Sequence, residues 1–340
     1  MDYEPLPAVV DLERALVPGS PCVHDDLGTN VAARVRQTRG NYAEAAKRAD
    51  LVIKRRFLYD RGASSPIETR GVVAQWDGKA DKLTVWDTTQ APIAIRDGLA
   101  AMLDLSERQV RVIAPFIGGG FGPKIMMFYP EEVLVPWAAI KLDRPVKWIE
   151  DRAEHFLATT HERGQIHDAE MALTKDGKIL GIRDVFLHDT GAYDPYGLTV
   201  PLNSQCTLLG PYRVPAYESE FTVAFTNKTL VTPVRGAGRP QAVFVMERML
   251  DLAAERLGLD RVAIRERNLI QSHEFPYDVG LISRDNSPRR YDSGNYPECL
   301  RRAVEAVGWK TFAGERQRAR ANGRRLGVGL ALFVEDTGLG

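Results

Sequence analysis

Two glycine-rich segments of the sequence have residue types and spacings that suit the binding of an anionic group. The first glycine loop reads GGGFGPK over residues 118–124, with four glycines among its first five residues. Glycine lacks the Cβ atom that would keep a ligand away from backbone N–H groups, and a helix that follows such a loop adds the positive end of its dipole. The loop is therefore suited to a phosphate, a pyrophosphate or a metal oxo group.

The first glycine loop departs from two common phosphate-binding motifs. A P-loop requires GxxxxGK followed by Ser or Thr, whereas here Pro123 precedes Lys124 and Ile125 follows it. The dinucleotide fingerprint GxGxxG, started from Gly118, requires a glycine where Pro123 stands. A simple tight turn and an unrelated nucleotide-binding loop both stay open as interpretations of these residues.

The second glycine loop reads TPVRGAGRPQ over residues 232–241 and directly precedes the clearest amphipathic helix of the sequence. Gly236 and Gly238 allow a ligand to approach closely, and Arg235 and Arg239 supply guanidinium groups that bind anions. We expect this loop to bind an anion or a cofactor. Arg239 could equally be a structural ion-pair partner.

The other residues that could ligate a metal or act as nucleophiles have no catalytic spacing. The six histidines form no HxH, HxxxH or HExxH pattern, and the cysteines Cys22, Cys206 and Cys299 form no CxxC pair. These residues therefore exclude a zinc finger, a disulfide scaffold and a protein-ligated iron–sulfur cluster. We expect three reduced thiols, as in a cytoplasmic protein.

The composition is that of a globular protein in water. The 45 basic residues balance 45 acidic ones among 340, and 44% of the residues are hydrophobic. This content of apolar residues excludes an intrinsically disordered chain, and the absence of net charge argues against nonspecific nucleic-acid binding. No run approaches 18 apolar residues and the start carries no signal peptide, so we expect no membrane span and a cytoplasmic location.

Hydrophobic periodicity predicts the elements that must position the two loops. Helices are predicted over residues 41–49, 93–103, 130–141, 241–257 and 296–307, and strands over 52–58, 72–76, 82–86, 109–113, 171–173, 179–187 and 328–334. The expected buried positions are Val133, Leu134, Trp137 and Ala138 in the third helix and Leu300, Val304 and Val307 in the fifth. Hairpins and helices alternate without a steady β-α-β repeat, which favours an α+β fold of mixed sheets with packed helices.

With both loops present, the sequence resembles the molybdenum-binding large subunit of the xanthine dehydrogenase, aldehyde oxidase and aerobic carbon monoxide dehydrogenase family, the molybdenum hydroxylases. The matching stretches follow the family's order: residues 66–68, 88–90, 118–122, 191–193, 235–239 and 247–269. The resemblance covers residues 1–340 and implies a molybdopterin-binding domain.

The resemblance implies three segments. Residues 1–22 would be the end of a preceding hammerhead-like domain and a linker, and residues 23–275 a first molybdopterin-cofactor-binding domain. Residues 276–340 would be the truncated start of a second such domain, which begins in a polar, turn-rich stretch. On this interpretation the sequence is a fragment of a longer polypeptide.

The resemblance also implies an activity, cofactors and partners. The family's catalytic subunit oxidises an aldehyde or an aromatic N-heterocycle with oxygen from water, using molybdenum bound to molybdopterin cytosine dinucleotide. Electrons would leave through 2Fe–2S clusters and FAD on a small and a medium partner subunit, in a dimer of heterotrimers. A non-catalytic scaffold or interaction subunit, or an inactive fragment of the same fold, is the alternative.

The resemblance assigns residues to the cofactor site. Gln90 would donate a hydrogen bond to an oxo ligand of the metal, Phe121 and Gly122 would line the metal and the pterin, and Arg235 would lie beside the metal. The full implied set is Gln90, Gly119, Gly120, Phe121, Gly122, Arg235, Gly236 and Ala237, of which Gln90, Phe121 and Arg235 are nearest the metal. The family's catalytic glutamate is expected downstream of residue 340, so no catalytic residue is assigned and the segment alone should be inactive.

At three positions the residue type differs from that of particular subgroups of the family, and these differences narrow the range of expected substrates. Gly236 stands where the carbon monoxide enzyme has a copper-binding cysteine, which argues against a molybdenum–copper site. Ile125 replaces an acidic residue of the purine-oxidising members, and Ala237 replaces their aromatic residue that stacks on the purine. The expected pocket is therefore roomier and more apolar than in those enzymes.

Overall fold

The structure is a computed structural model that describes residues 2–125 and 128–335. The strands are β1 (Val31–Arg39), β2 (Leu51–Ala63), β3 (Gly71–Asp77), β4 (Lys82–Asp87), β5 (Val110–Ile113), β6 (Val146–Ile149), β7 (His161–Leu173), β8 (Ile179–Gly191), β9 (Ala216–Phe225), β10 (Tyr277–Ile282) and β11 (Pro288–Tyr291). The helices are α1 (Leu12–Ala15), α2 (Tyr42–Lys47), α3 (Pro92–Met102), α4 (Pro130–Leu142), α5 (Arg152–Ala158), α6 (Thr199–Thr207), α7 (Arg239–Leu257), α8 (Arg261–Asn268), α9 (Tyr296–Ala306) and α10 (Trp309–Ala321).

The strands form two main sheets and one hairpin in the described part of the chain. The larger sheet has the strand order β1-β9-β8-β7-β2, and only β8 and β9 run parallel. The smaller sheet has the order β5-β4-β3-β6, in which β4 and β5 run parallel. Mixed sheets with helices packed against them confirm the predicted α+β class.

Each main sheet has its own hydrophobic core. In the smaller sheet, Val72, Leu83 and Val85 pack against Leu99 of α3 and Ala139 of α4. In the larger sheet, residues of β7, β8 and β9 pack against one face of the long helix α7. The first glycine loop follows β5 of the smaller sheet, and the second leads into α7. Each loop is therefore joined at one end to a rigid element.

Several predicted elements are confirmed close to their expected bounds. The hairpins β3–β4 and β7–β8 form where the turn residues predict them. Helix α7 ends at Gly258, whose backbone adopts the left-handed conformation (φ 65°) that favours glycine at a helix C-terminus. No helix within residues 2–125 and 128–335 has both the length and the apolar character needed to cross a membrane.

The buried face of α4 differs from the prediction. The fully buried residues are Glu132, Val135, Pro136 and Ala139. Of the predicted positions, Val133 packs against the core but is only partly buried, whereas Leu134 and Trp137 are 57% and 48% exposed. Both sides of this helix are apolar, so periodicity alone does not select the buried side. Glu132 is buried because its carboxylate accepts a hydrogen bond from the Tyr129 N–H at the start of the helix.

The prediction of a strand over residues 328–334 is wrong. This segment forms no strand; instead, Leu330, Leu332 and Val334 pack against the core of the larger sheet as extended chain. An alternating pattern requires only that one side of an extended segment be covered, and a packed surface covers it without a partner strand. Val307 is also 50% exposed rather than buried, because it lies just beyond the end of α9.

The polar stretch expected to begin a second domain contains the hairpin β10–β11. Val279 and Leu281 of β10 belong to the same buried cluster as helix α7, so this hairpin shares the core of the larger sheet. The segment bounds 1–22, 23–275 and 276–340 stay predictions.

Candidate functional site

The two glycine loops meet at one cavity of about 430 Å³. Its lining consists of Gln90, Gly120, Phe121, Gly122, Ile125, Pro233, Val234, Arg235, Gly236 and Ala237. Seven of the eight residues that the resemblance assigns to the cofactor are therefore together in space. The eighth, Gly119, does not line the cavity; a Cβ at this position would press against the Phe121 ring, at 2.8 Å.

The loops touch each other through their backbones. The Arg235 N–H donates to the Phe121 carbonyl oxygen at 2.8 Å. A Cβ at Gly122 would overlap the carbonyl oxygen of Pro233, and Gly122 itself has a left-handed backbone (φ 118°). Glycine at this position is thus required both by conformation and by the close approach of the second loop.

Gln90 is fixed between the loops and has one end of its carboxamide available. Its backbone N–H donates to the Lys124 carbonyl oxygen at 3.0 Å, and its Oε1 accepts a hydrogen bond from the Gly122 N–H at 3.0 Å. Because an N–H group needs an acceptor, this contact orients the carboxamide with its oxygen toward the loop. Within the described residues the NH₂ group makes no hydrogen bond, so it can donate to a ligand in the cavity.

Two non-glycine residues of the cavity have left-handed backbones, Phe121 (φ 58°) and Ala237 (φ 45°). This conformation costs roughly 1–2 kcal/mol for a residue with a Cβ and persists only where the surroundings hold it. In Phe121 it turns a half-exposed aromatic ring to the cavity wall. Unusual backbone conformations of this kind concentrate at ligand sites.

Arg235 and Arg239 have different surroundings. The Arg235 guanidinium is exposed at the cavity and makes no hydrogen bond or ion pair with any described residue. Arg239 donates to the Gly236 carbonyl oxygen at 3.3 Å and lies 3.9 Å from the Glu335 carboxylate. Arg235 is therefore available to an anionic ligand, whereas Arg239 has the contacts of a structural residue.

Lys124 of the first loop does not face the cavity. Its side chain is 1% exposed, and its Nζ donates to the carbonyl oxygen and the Oε2 atom of Glu68, at 3.1 and 3.2 Å. The same Oε2 atom accepts the Gly118 N–H at 2.7 Å, so Glu68 fixes both ends of the loop. Burial lowers the pKa of Lys124. A nucleotide-binding loop would present this lysine to phosphate, and the structure does not support that interpretation.

A group of buried charges lies behind the first loop. Arg70 donates to Glu150 from Nε and from Nη2, and its guanidinium lies 3.8 Å from the centre of the Tyr129 ring. Asp87 and Glu132 are also buried, and burial raises their pKa values to about 7 and about 8; repulsion from Asp87 adds to the shift of Glu132. The sequence analysis did not identify this group, because its members are scattered over four elements.

The site offers hydrogen-bond donors rather than metal ligands. No group of three or more His, Cys, Asp or Glu side chains among residues 2–125 and 128–335 could hold a metal ion. A metal in this cavity must therefore arrive with ligands of its own, and the carboxamide, the backbone N–H groups and the guanidinium could then surround it. A Cβ at Gly120 would overlap the Gln90 side chain, so glycine at this position lets Gln90 lie directly against the first glycine loop.

Comparison with known proteins identifies the family of this chain. Residues 23–269 match the family model of the molybdopterin cofactor-binding domain. The chain belongs to this family. The match spans most of the described chain and includes both glycine loops and Gln90.

Relatives of this molybdopterin cofactor-binding domain are oxidoreductases. The chain is 38% identical to the 6-hydroxypseudooxynicotine dehydrogenase complex subunit gamma of Paenarthrobacter nicotinovorans, over 100% of the chain and 42% of that protein. It is 35% identical to the carbon monoxide dehydrogenase large chain of Afipia carboxidovorans, over 100% of the chain and 44% of that protein. The crystal structure of quinoline 2-oxidoreductase from Pseudomonas putida 86 matches with a TM-score of 0.86 and 34% identity, over 98% of this chain and 42% of that one.

The predicted membership in the molybdenum hydroxylase family is confirmed by these matches. The chain spans less than half the length of the relatives that it matches.

Proposed function

We propose that this chain is the molybdenum-cofactor-binding part of the catalytic subunit of a molybdenum hydroxylase, which oxidises an aldehyde or an aromatic N-heterocycle with oxygen from water. The observation that carries the proposal is the cavity in which Gln90, held by the Gly122 N–H, and Arg235 both keep unused donors. Donors fixed before a ligand arrives stabilise developing negative charge without the cost of reorganisation.

The cofactor and the residues of this chain would have different roles in the reaction. The bound molybdenum cofactor would accept two electrons from the substrate and supply oxygen derived from water. The NH₂ group of Gln90 would hydrogen-bond an oxygen ligand of the metal, and the Arg235 guanidinium would offset negative charge beside it. The Phe121 ring would exclude water, and Gly119 would support that ring. Gly120 and Gly122 would let the backbone approach the metal and the pterin. The opposite wall of the cavity would be formed by Gly236 and Ala237.

The cofactor form and the partners follow from the resemblance. We propose molybdopterin cytosine dinucleotide as the organic part, with FAD on a medium subunit and 2Fe–2S clusters on a small subunit. Relatives named as a "complex subunit gamma" and a "large chain" support such an assembly. A dimer of heterotrimers in the cytoplasm is the proposed state.

The cavity favours an organic substrate over carbon monoxide. Gly236 lines it where a copper-binding cysteine would be needed, and Ile125 and Ala237 give it small or apolar walls. Two of the matched relatives are named for pseudooxynicotine and quinoline chemistry, and quinoline is an aromatic N-heterocycle. These observations support an N-heterocycle or an aldehyde as the substrate.

We propose that the catalytic base lies outside residues 1–340. A missing general base lowers a rate by about 10²–10⁴-fold, so residues 1–340 alone should turn over at least that much more slowly than the complete enzyme.

The experiment that tests the reaction follows the source of oxygen. The complete enzyme complex is incubated with a dye as electron acceptor, in ¹⁸O-labelled water, with panels of aldehydes and aromatic N-heterocycles. For an N-heterocycle, the proposal predicts a product that contains one ¹⁸O atom for every two electrons passed to the dye. Aldehydes exchange their own oxygen with water, so for them it predicts one carboxylic acid formed for every two electrons. A fully assembled complex that contains no molybdenum and oxidises neither panel would support the scaffold alternative instead.

A further inference from the structure

Three successive residues of the second glycine loop have left-handed backbones: Gly236 (φ 95°), Ala237 (φ 45°) and Gly238 (φ 99°). Within the loop, the Ala237 N–H donates to the Val234 carbonyl oxygen at 2.6 Å, and the Arg239 N–H donates to the Gly236 carbonyl oxygen at 3.0 Å. Glycine adopts this conformation easily, but Ala237 does not. A run of this kind therefore needs support from outside the loop.

Helix α6 supplies that support. Asn203 Nδ2 donates to the Ala237 carbonyl oxygen at 2.9 Å, and Ser204 Oγ lies 2.9 Å from the Gly238 carbonyl oxygen. Both side chains are buried. A Cβ at Gly238 would overlap the Val200 carbonyl oxygen, so the helix and the loop are in direct backbone contact.

A buried chain of polar groups holds Ser204 in turn. Its Oγ lies 3.0 Å from Gln165 Oε1, which lies 2.9 Å from His167 Nε2. The other ring nitrogen of His167 lies 3.0 Å from Asp184 Oδ2. The single hydroxyl proton of Ser204 is shared among three acceptors, the Gly238 and Val200 carbonyl oxygens and Gln165 Oε1, at 2.9, 3.2 and 3.0 Å. Because water does not reach these groups, displacing Ser204 would leave buried polar atoms unpaired.

We propose that Asn203 and Ser204 are positioning residues that hold the second glycine loop, and with it Arg235, at the cofactor cavity. The inference rests on the proposed function only for the identity of the ligand that Arg235 contacts. The support of the loop by α6 does not depend on the proposed function. Neither side chain lines the cavity, so both act through the carbonyl oxygens of Ala237 and Gly238.

The test uses Ser204→Ala and Asn203→Ala in the complete enzyme complex, with Thr207→Ala as the matched control. Thr207 is a buried hydroxyl of the same helix, and it donates to the Asn203 backbone carbonyl oxygen at 2.5 Å rather than to the loop. Hydrogen exchange of the peptide over residues 234–241 is measured by mass spectrometry, on complexes from molybdenum-replete and from molybdenum-starved cells.

Both variants should accelerate exchange of the Ala237 and Arg239 amides by about fivefold or more, the effect of one lost hydrogen bond on local opening. Thr207→Ala should leave these amides within about twofold of the wild type. In the molybdenum-replete complex, the electron paramagnetic resonance spectrum of Mo(V) should shift in Ser204→Ala and stay unchanged in Thr207→Ala, because only the former moves groups beside the metal.

Unchanged loop exchange in both variants overturns the inference, and so does an equal acceleration in Thr207→Ala, which would indicate general loosening of α6. If the wild-type complex contains neither molybdenum nor pterin, the proposed function fails. The exchange rates of the cofactor-free protein still decide whether Asn203 and Ser204 hold the loop.

Discussion

The side-chain oxygen of Gln90 accepts a hydrogen bond from the Gly122 N–H at 3.0 Å, although the two residues are 32 positions apart in the sequence. This bond joins the segment after β4 to the first glycine loop and fixes the direction of the Gln90 NH₂ group. The remaining donor of the carboxamide is then available at the cavity that both loops line.

Gln90→Glu should distinguish the role of the carboxamide oxygen from that of the NH₂ group. The variant keeps an oxygen that can accept the Gly122 N–H but replaces the NH₂ donor, so kcat should fall by about 10²–10³-fold, as when one donor to a developing oxyanion is removed. Gln90→Ala should lower kcat at least as much, with a loss of unfolding free energy of about 1 kcal/mol from the lost bond. Steady-state kinetics and chemical denaturation measure the two effects. A change of stability with unaltered turnover would refute the donor role.

Gly122→Ala should abolish cofactor binding in the assembled enzyme. The new Cβ would overlap the Pro233 carbonyl oxygen and force the two loops apart. Gly19→Ala is the matched control, because Gly19 also has a left-handed backbone (φ 86°) but has no neighbour within 4 Å of an added Cβ. The control should lose about 1–2 kcal/mol of stability and keep its cofactor. Equal pterin contents in the two purified variants would contradict the close approach of the loops.

The buried carboxyls behind the first loop should make stability fall as pH rises. Burial raises the pKa of Asp87 to about 7 and that of Glu132 to about 8. Unfolded carboxyls titrate near pH 4, so between about pH 4 and pH 8 the folded state binds more protons than the unfolded state. The contribution of these two carboxyls to the free energy of unfolding therefore decreases across this window.

The variants Asp87→Asn and Glu132→Gln keep the shape of the protonated side chains. Each should flatten the pH dependence and raise the free energy of unfolding at pH 8, relative to pH 5, by on the order of 2 kcal/mol. Urea denaturation at the two pH values checks this. A slope identical to that of the wild type would show that the carboxyls are ionised in the folded protein at pH 5.

Glu150→Ala should destabilise the protein strongly. Its side chain is 0% exposed and pairs with Arg70, so removal leaves a buried guanidinium without its main partner and costs about 3–5 kcal/mol. Glu298→Ala is the control: Glu298 also pairs with arginines, but at the surface of α9, where solvent screens the attraction, so this variant should lose far less stability. Similar losses in the two variants, measured by denaturation, would contradict the account of Arg70.

The glycine loops and the hairpins could be predicted because their signals are local. The glycines of GGGFG and RGAG allow unusual backbone conformations within a few residues, and α7 repeats its apolar positions over five turns up to Gly258. The convergence of Gln90 with both loops was implied by the resemblance and not by the spacing, since residues 90, 122 and 235 meet only through the arrangement of the sheets.

The remaining features depend on tertiary contacts that no local pattern records. Helix α6 contains Pro201, β-branched residues and polar residues, none of which favours a helix in isolation, and the helix is buried on nearly every side. Lys124 lies in the interior because it pairs with the Glu68 carboxylate, a contact between residues 56 positions apart. The buried side of α4 carries Glu132, whose carboxyl accepts the Tyr129 N–H, and Arg70 pairs with Glu131 of the same helix; the apolar pattern records neither contact.

Metal and pterin analysis of the complete enzyme complex tests the central claim most directly. The complex is purified with its partner subunits from molybdenum-replete cells, and molybdenum and released pterin are measured for each copy of this subunit. The account predicts about one molybdenum and one pterin dinucleotide per copy in the wild type, and a large loss of both in Gly122→Ala but not in Gly19→Ala. A fully assembled wild-type complex without molybdenum and pterin would contradict it.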